Sequence, residues 1–235
     1  MGAKNRQAWE LARAQQDVVS RVQLLGLGYT DRAIKHRIAR GRLHPMAWPG
    51  IYSVGTPHPS WLGIWMGAVL ACGEGAAASH GTAAAILGIS ECAPRKVHVS
   101  VPATKHPRGD GIVVHRRAAF EVTRHRGIPV TTPACTVVDI APGLTRDELE
   151  RAINQADLLG LITVAHLRSA AEDMPQRPGR PKVCRVIDQR TFRFTRSRLE
   201  RIFIPIALRA GLPRPLTRAC GEQRSRRPAS PKAMP

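Results

Sequence analysis

The chain has 235 residues and a formal net charge of +19, from 36 Lys and Arg against 17 Asp and Glu. That length buries a real core, which excludes a peptide hormone or a disulfide mini-protein, and the charge favours a polyanionic partner, nucleic acid first. No apolar run reaches the roughly 18 residues of a membrane helix. The five cysteines (Cys72, Cys92, Cys135, Cys184, Cys220) are odd in number and never spaced C-x-x-C, which argues against a zinc site and a disulfide framework and for a reducing, cytoplasmic location.

In chain order, residues 6–16 are rich in Ala, Leu, Gln, Glu and Arg and predict a first helix, broken at Asp17-Val18-Val19. Ser20 is an N-cap candidate for a short second helix carrying Val22, Leu24 and Leu25, with a turn from Gly26 to Gly28. Thr30 caps a third helix, Asp31 to Arg40, with Asp31 in its first turn and Gly41 just beyond its end. Two extended runs, Arg42 to Met46 and Ile51 to Val54, meet around Pro49-Gly50 as a hairpin. Three helices and a hairpin are the order of a winged helix-turn-helix, expected over residues 1–56.

Residues 55–60 (GTPHPS) predict a linker. Then come an apolar helix from Trp61 to Cys72, a short buried run from Ala76 to Ser79, and an Ala-rich helix from Gly81 to Leu87. Alternation predicts strands at Lys96 to Val101, Gly111 to His115 and Pro129 to Thr132, followed by helices at Ala134 to Ala141, Arg146 to Leu159 and Val164 to Glu172. The expectation for 57–174 is a small α/β domain with trailing helices, and the fold class of the whole is α+β. Residues 175–190 read as a basic linker. Helical periodicity returns at Arg196 to Arg209, where Pro205 predicts a kink. From Arg218 apolar periodicity ends, and 218–235 is expected to be a disordered basic tail.

The most informative functional element is the third helix. On a helical wheel Ile34 and Ile38 lie within about 40° of each other and face inward, whereas Arg32, Lys35, His36 and Ala39 fall opposite. Arg and Lys on such a face reach phosphates or the O6 and N7 edge of guanine, and the small Ala39 permits close approach. Arg40, Arg42 and His44, on the following turn and hairpin, suit backbone contacts. The bland alternative is a solvated helix face. The helix order, the hairpin and the single acid between Arg21 and Gly73 favour duplex DNA as partner.

Other constellations carry less. His80, His98, His106, His115 and His125 form no His-x-x-x-His pair and mostly lie beside Arg, so surface or strand positions are expected, with no metal and no cofactor. Ser79-His80 with Asp139 lacks the G-x-S-x-G elbow of a hydrolase, and no catalytic residue is assigned. Arg108-Gly109-Asp110 reads as a turn. Arg177 to Lys182 could lie in a minor groove as an extended Arg-Pro segment, although a plain interhelix loop is the simpler reading. Trp9, Trp48, Trp61 and Trp65 read as core and interface residues.

The N-terminal unit, with Leu43-His44 and Pro49-Gly50-Ile51-Tyr52-Ser53-Val54-Gly55, resembles the winged-helix domain of the AbiEi family, antitoxins of type IV toxin–antitoxin systems. Val69-Leu70-Ala71-Cys72-Gly73, Ser79-His80-Gly81-Thr82-Ala83-Ala84 and Gly127-Ile128-Pro129-Val130-Thr131-Thr132-Pro133-Ala134 are similar to the second domain of such proteins. The likeness spans about residues 6–217. It implies an autorepressor that binds its own promoter and opposes a nucleotidyltransferase toxin without having to touch it, and it assigns no residue to neutralisation. Thr195-Arg196-Ser197-Arg198-Leu199-Glu200, running on to Gly211-Leu212-Pro213-Arg214-Pro215, resembles the leading helix of a very-short-patch-repair-like endonuclease. Its two-metal chemistry needs converging acidic ligands downstream, but after Thr217 the only acid is Glu222. Residues 191–217 are therefore expected to be a truncated nuclease-like remnant without activity, and an inactive relative of that endonuclease is the alternative reading of the chain.

Overall fold

The computed structural model describes residues 3–91, 93–188, 206, 209 and 210. Met1–Phe192 forms one compact unit and Arg193–Pro235 a second. The stretches expected as nuclease remnant and basic tail fall outside the described residues, except for Ile206, Arg209 and Ala210.

The first helix, α1, spans Ala3–Ala14. Gln16 and Asp17 then take left-handed backbone angles, φ 58° and 59°, and the valines that follow form strand β1, Val18–Ser20. The sequence predicted only a break here; β-branched Val18 and Val19 are stiff side chains that fit a pleated surface, and both are buried. Ser20 caps α2, Arg21–Gly26, in a capping box with Gln23. Of the apolar positions expected to hold α2, only Leu24 is buried; Val22 is 77% exposed. Thr30 caps α3, Asp31–Ala39, by accepting from Ala33 N. The helix ends in a Schellman turn: Gly41, at φ 63°, donates to Ile38 O, and Arg42 N donates to Arg37 O. That turn launches β2, Leu43–Pro45, which pairs antiparallel with β3, Ile51–Val54; β3 also pairs with β1, giving the strand order β1-β3-β2. Ala12, Val19, Leu24, Tyr29, Ile34, Leu43 and Tyr52 make its core.

The next helix, α4, is Trp61–Cys72. Its sequence is apolar all round, as expected of a helix buried on most sides, and it packs against β1 and β3 as well as against the second sheet. Gly67 is required by closeness: an added Cβ would lie 2.8 Å from Met46 and 3.2 Å from Trp48, both in the β2–β3 hairpin. The second sheet is mixed, ordered β6-β5-β4-β8-β7, from β4 (Ala77–Ala78), β5 (Val97–Pro102), β6 (Ile112–Arg117), β7 (Val122–His125) and β8 (Ile128–Thr131). Helix α5, His80–Ile86, follows β4, and α6, Pro133–Ile140, follows β8. Strand β7 was not foreseen, because its residues are mostly exposed and show no apolar alternation. The turn into β8 holds Arg126 and Gly127 at φ 51° and 81°, as a two-residue hairpin loop needs.

Helices α7 (Arg146–Leu158), α8 (Val164–Glu172) and α9 (Arg180–Asp188) follow. Helix α9 corrects the expectation of a basic linker over 175–190. Pro178, Gly179 and Pro181 suggested a loop, yet proline is tolerated in a first helical turn, and Val183, Val186 and Ile187 are buried. Among the described residues no helix is long and apolar enough to cross a membrane.

Candidate functional sites

Two groups of chemistry-bearing side chains stand out. The first is the outer face of α3. Burying Ile34 and packing Ile38 against the N-terminal core turns Arg32, Lys35, His36, Ala39 and Arg40 to solvent. Arg42 is also exposed and His44, on β2, is half-buried. The six residues expected to contact DNA therefore share one continuous stretch of helix, turn and strand. Asp31, the one acid on α3, is clasped by Arg21, whose Nε and Nη2 donate to its two carboxylate oxygens at 2.9 and 2.8 Å. Arg37 does not belong to this face: its guanidinium lies 4.4 Å from the Tyr29 ring centre and donates to Asn5 Oδ1 at 2.7 Å.

The second group was missed by sequence reasoning. His80 opens α5, His98 lies on β5 and His115 on β6. The parallel register aligns Ser100 with His115, so His98, two residues from Ser100, lies on the same face of the sheet. His80 joins them because Ser79 N donates to His98 O, fixing the β4–α5 corner against β5. The His80 and His115 rings stack with centres 3.6 Å apart, and His98 Nδ1 lies 3.0 Å from His115 Nε2. His98 and His115 thus hold strand positions, one of the two settings expected, but their convergence with His80 comes through strand register, which a one-dimensional spacing rule does not register. His106 and His125 stay outside the cluster, His106 lying 2.8 Å from Arg116 Nη1.

An ion pair continues from the histidines. Arg117 Nη2 lies 3.4 Å from His80 Nε2, and Arg117 Nη1 lies 2.8 Å from Asp139 Oδ2. The other carboxylate oxygen of Asp139 faces Arg177 Nη1 at 3.4 Å. The Asp139 side chain is 3% exposed. Arg177 also donates to Ala119 O, Arg180 to Ala171 O and Lys182 to Leu144 O, so the Arg-Pro segment weighed for the minor groove spends its cations on the protein's own acceptors.

Burial dominates the electrostatics of the second group. It pushes the His80 imidazole down to about 3, helped by the charges of His115, Arg117 and His98, and His115 down to about 4, helped by His98 and Arg117. Burial lowers His98 as well. The three imidazoles are therefore neutral at physiological pH. Burial raises the Asp139 carboxyl, with Arg117 pulling it back. It also pushes the Cys135 thiol up to about 12, Asp139 adding to the rise, so this buried thiol is a poor nucleophile.

Residues 76–202 match the AbiEi antitoxin C-terminal domain family. The matched range holds both the histidine cluster and the Arg117–Asp139 pair, and it runs into the stretch expected as a nuclease-like remnant. Among solved structures the chain is similar to the RV2827C protein from Mycobacterium tuberculosis, at 17% identity and a TM-score of 0.47, covering 79% of this chain and 77% of that one. No curated protein matches the sequence.

Proposed function

The chain belongs to the AbiEi antitoxin C-terminal domain family, and from that premise we propose that it is a regulator of the type IV antitoxin kind that reads duplex DNA through α3. The proposed reader is a winged helix-turn-helix: α2 and α3 form the helix pair and the β2–β3 hairpin the wing. The observation that carries the reading is the sorting of α3 into a buried Ile34 face and an exposed face of Arg32, Lys35, His36, Ala39 and Arg40. A helix so divided enters a major groove with its cations toward the phosphates and base edges, and Arg42 and His44 extend the contact to the backbone. Pairing with Arg21 offsets the charge of Asp31, the one acid on α3.

In this reading the protein works in the cytoplasm, represses its own promoter, and opposes a nucleotidyltransferase toxin encoded beside it, with no contact to that toxin required. No chemistry on substrate is assigned to it. A promoter–reporter fusion and a toxin co-expression assay test the two halves. Repression is expected from the wild type and lost in Arg32→Ala/Lys35→Ala, and growth is expected to recover when the wild type accompanies the toxin. Full repression by the double variant would remove α3 as the reader, and failed rescue by a well-expressed chain would remove the antitoxin role.

A further inference from the structure

The histidine cluster has features that ring stacking alone does not explain. Each of the three imidazoles offers a nitrogen such that all three atoms lie within 4.8 Å of one another. His80 holds a left-handed backbone, φ 50°, a strained conformation for a residue with a Cβ. Ser100, aligned with His115 and on the same face as His98, is completely buried, and its Oγ has no hydrogen-bond partner among the described residues.

We propose that His80, His98 and His115 form a binding site for one divalent transition-metal ion of the zinc class. Imidazole nitrogens bind zinc at about 2.0–2.1 Å, so the three atoms, now within 4.8 Å of one another, have to draw closer together around the ion. A donor set of nitrogens without carboxylates selects zinc, copper or nickel over magnesium or calcium. Ser79 Oγ, 3.1 Å from His80 Nδ1, is placed to fix that ring from behind and present Nε2 as the ligand atom, the ion replacing the 3.4 Å contact of Nε2 with Arg117 Nη2. In the stacked arrangement the in-plane lone pairs of His80 and His115 run side by side; turning the soft Cβ–ring torsion brings them together. The nearby Arg117 charge is offset by Asp139 at 2.8 Å. Three protein ligands leave one position open for water, and Ser100 Oγ is the adjacent polar group that such a water would satisfy. The ion would fasten the β4–α5 corner to β5 and β6, independently of α3 and of DNA.

The test uses the full chain, stripped with a chelator and titrated with Zn²⁺ and Co²⁺ at neutral pH. One equivalent is expected to bind, with tetrahedral-type visible absorption from Co²⁺ and no thiolate band. Zn²⁺ at a hundredfold excess over its Kd should raise the melting temperature by roughly 5–10 °C. Ser79→Ala should weaken binding by about 10–100-fold, and His98→Gln/His115→Gln should abolish it. Because that double variant alters buried positions, the wild type supplies a second readout: Co²⁺ should perturb the imidazole NMR signals of His80, His98 and His115 and leave His36 and His44 unmoved. No stoichiometric uptake overturns the proposal. So does uptake that persists in the folded double variant, or Co²⁺ perturbation confined to other histidines.

Discussion

Asp139 sits with one carboxylate oxygen toward Arg117 and the other toward Arg177, almost fully out of solvent. A buried ion pair stabilises little compared with apolar packing, but breaking one leaves charge without compensation. Asp139→Asn keeps the shape and strands two guanidinium groups, so it should cost about 3–5 kcal/mol in urea unfolding; a loss under about 1 kcal/mol, the scale of an exposed pair, would show that water screens the triad. The histidines give a pH signature. Their folded pKa values lie below the ordinary 6.5, His80 at about 3 and His115 at about 4, so the unfolded chain binds more protons than the folded one between those limits. Stability of the metal-free protein should fall as pH drops from about 6.5 toward 4, and His115→Gln should flatten that decline. Parallel pH profiles for the two proteins would refute the assignment. Sequence reading exposed the α3 face because helical periodicity alone sorts Ile34 from Arg32 and Lys35. It missed the histidine cluster because residues 80, 98 and 115 meet only through the pairing of β4, β5 and β6.

At the scale of elements, the caps were legible and the concealed packing was not. Ser20 and Thr30 announced α2 and α3 by side-chain chemistry that acts within three residues. Helix α9 was hidden by Pro178-Gly179 and Pro181, whose meaning depends on a neighbour: a Cβ on Gly179 would lie 1.8 Å from Val138 O. The β7–β8 turn shows the same dependence. Gly127 has φ 81°, and a Cβ there would lie 2.0 Å from Ala14 O at the end of α1, where Gln16 Nε2 also donates to Arg126 O at 2.7 Å. Left-handed backbone strain alone costs about 1 kcal/mol or more. The added clash with a carbonyl that cannot retreat without moving α1 should make Gly127→Ala exceed that, read as a drop in melting temperature well beyond that of Gly55→Ala, where φ is 79° and nothing lies within 4 Å. Equal losses would mean that α1 yields freely.

Over the whole molecule, α4 touches both sheets, and Trp48, in the β2–β3 hairpin, donates from Nε1 to Asp110 O at 3.0 Å. The proposed DNA reader is thus packed onto the region that carries the AbiEi family match, within one compact unit. Linear sequence showed the pieces of this arrangement, a small helical unit and an α/β region. It did not show their joint packing, since an apolar helix such as α4 does not declare which partners bury it.

The central claim is that α3 reads duplex DNA, and fluorescence anisotropy with a labelled promoter duplex and a scrambled duplex at several salt concentrations tests it most directly. The wild type should prefer the promoter, with affinity falling steeply as salt rises. Arg32→Ala/Lys35→Ala should bind at least about tenfold more weakly, with a log–log salt slope shallower by roughly 0.9 for each phosphate that the variant no longer neutralises. Tight promoter-selective binding with an unchanged salt slope in the double variant would contradict the account.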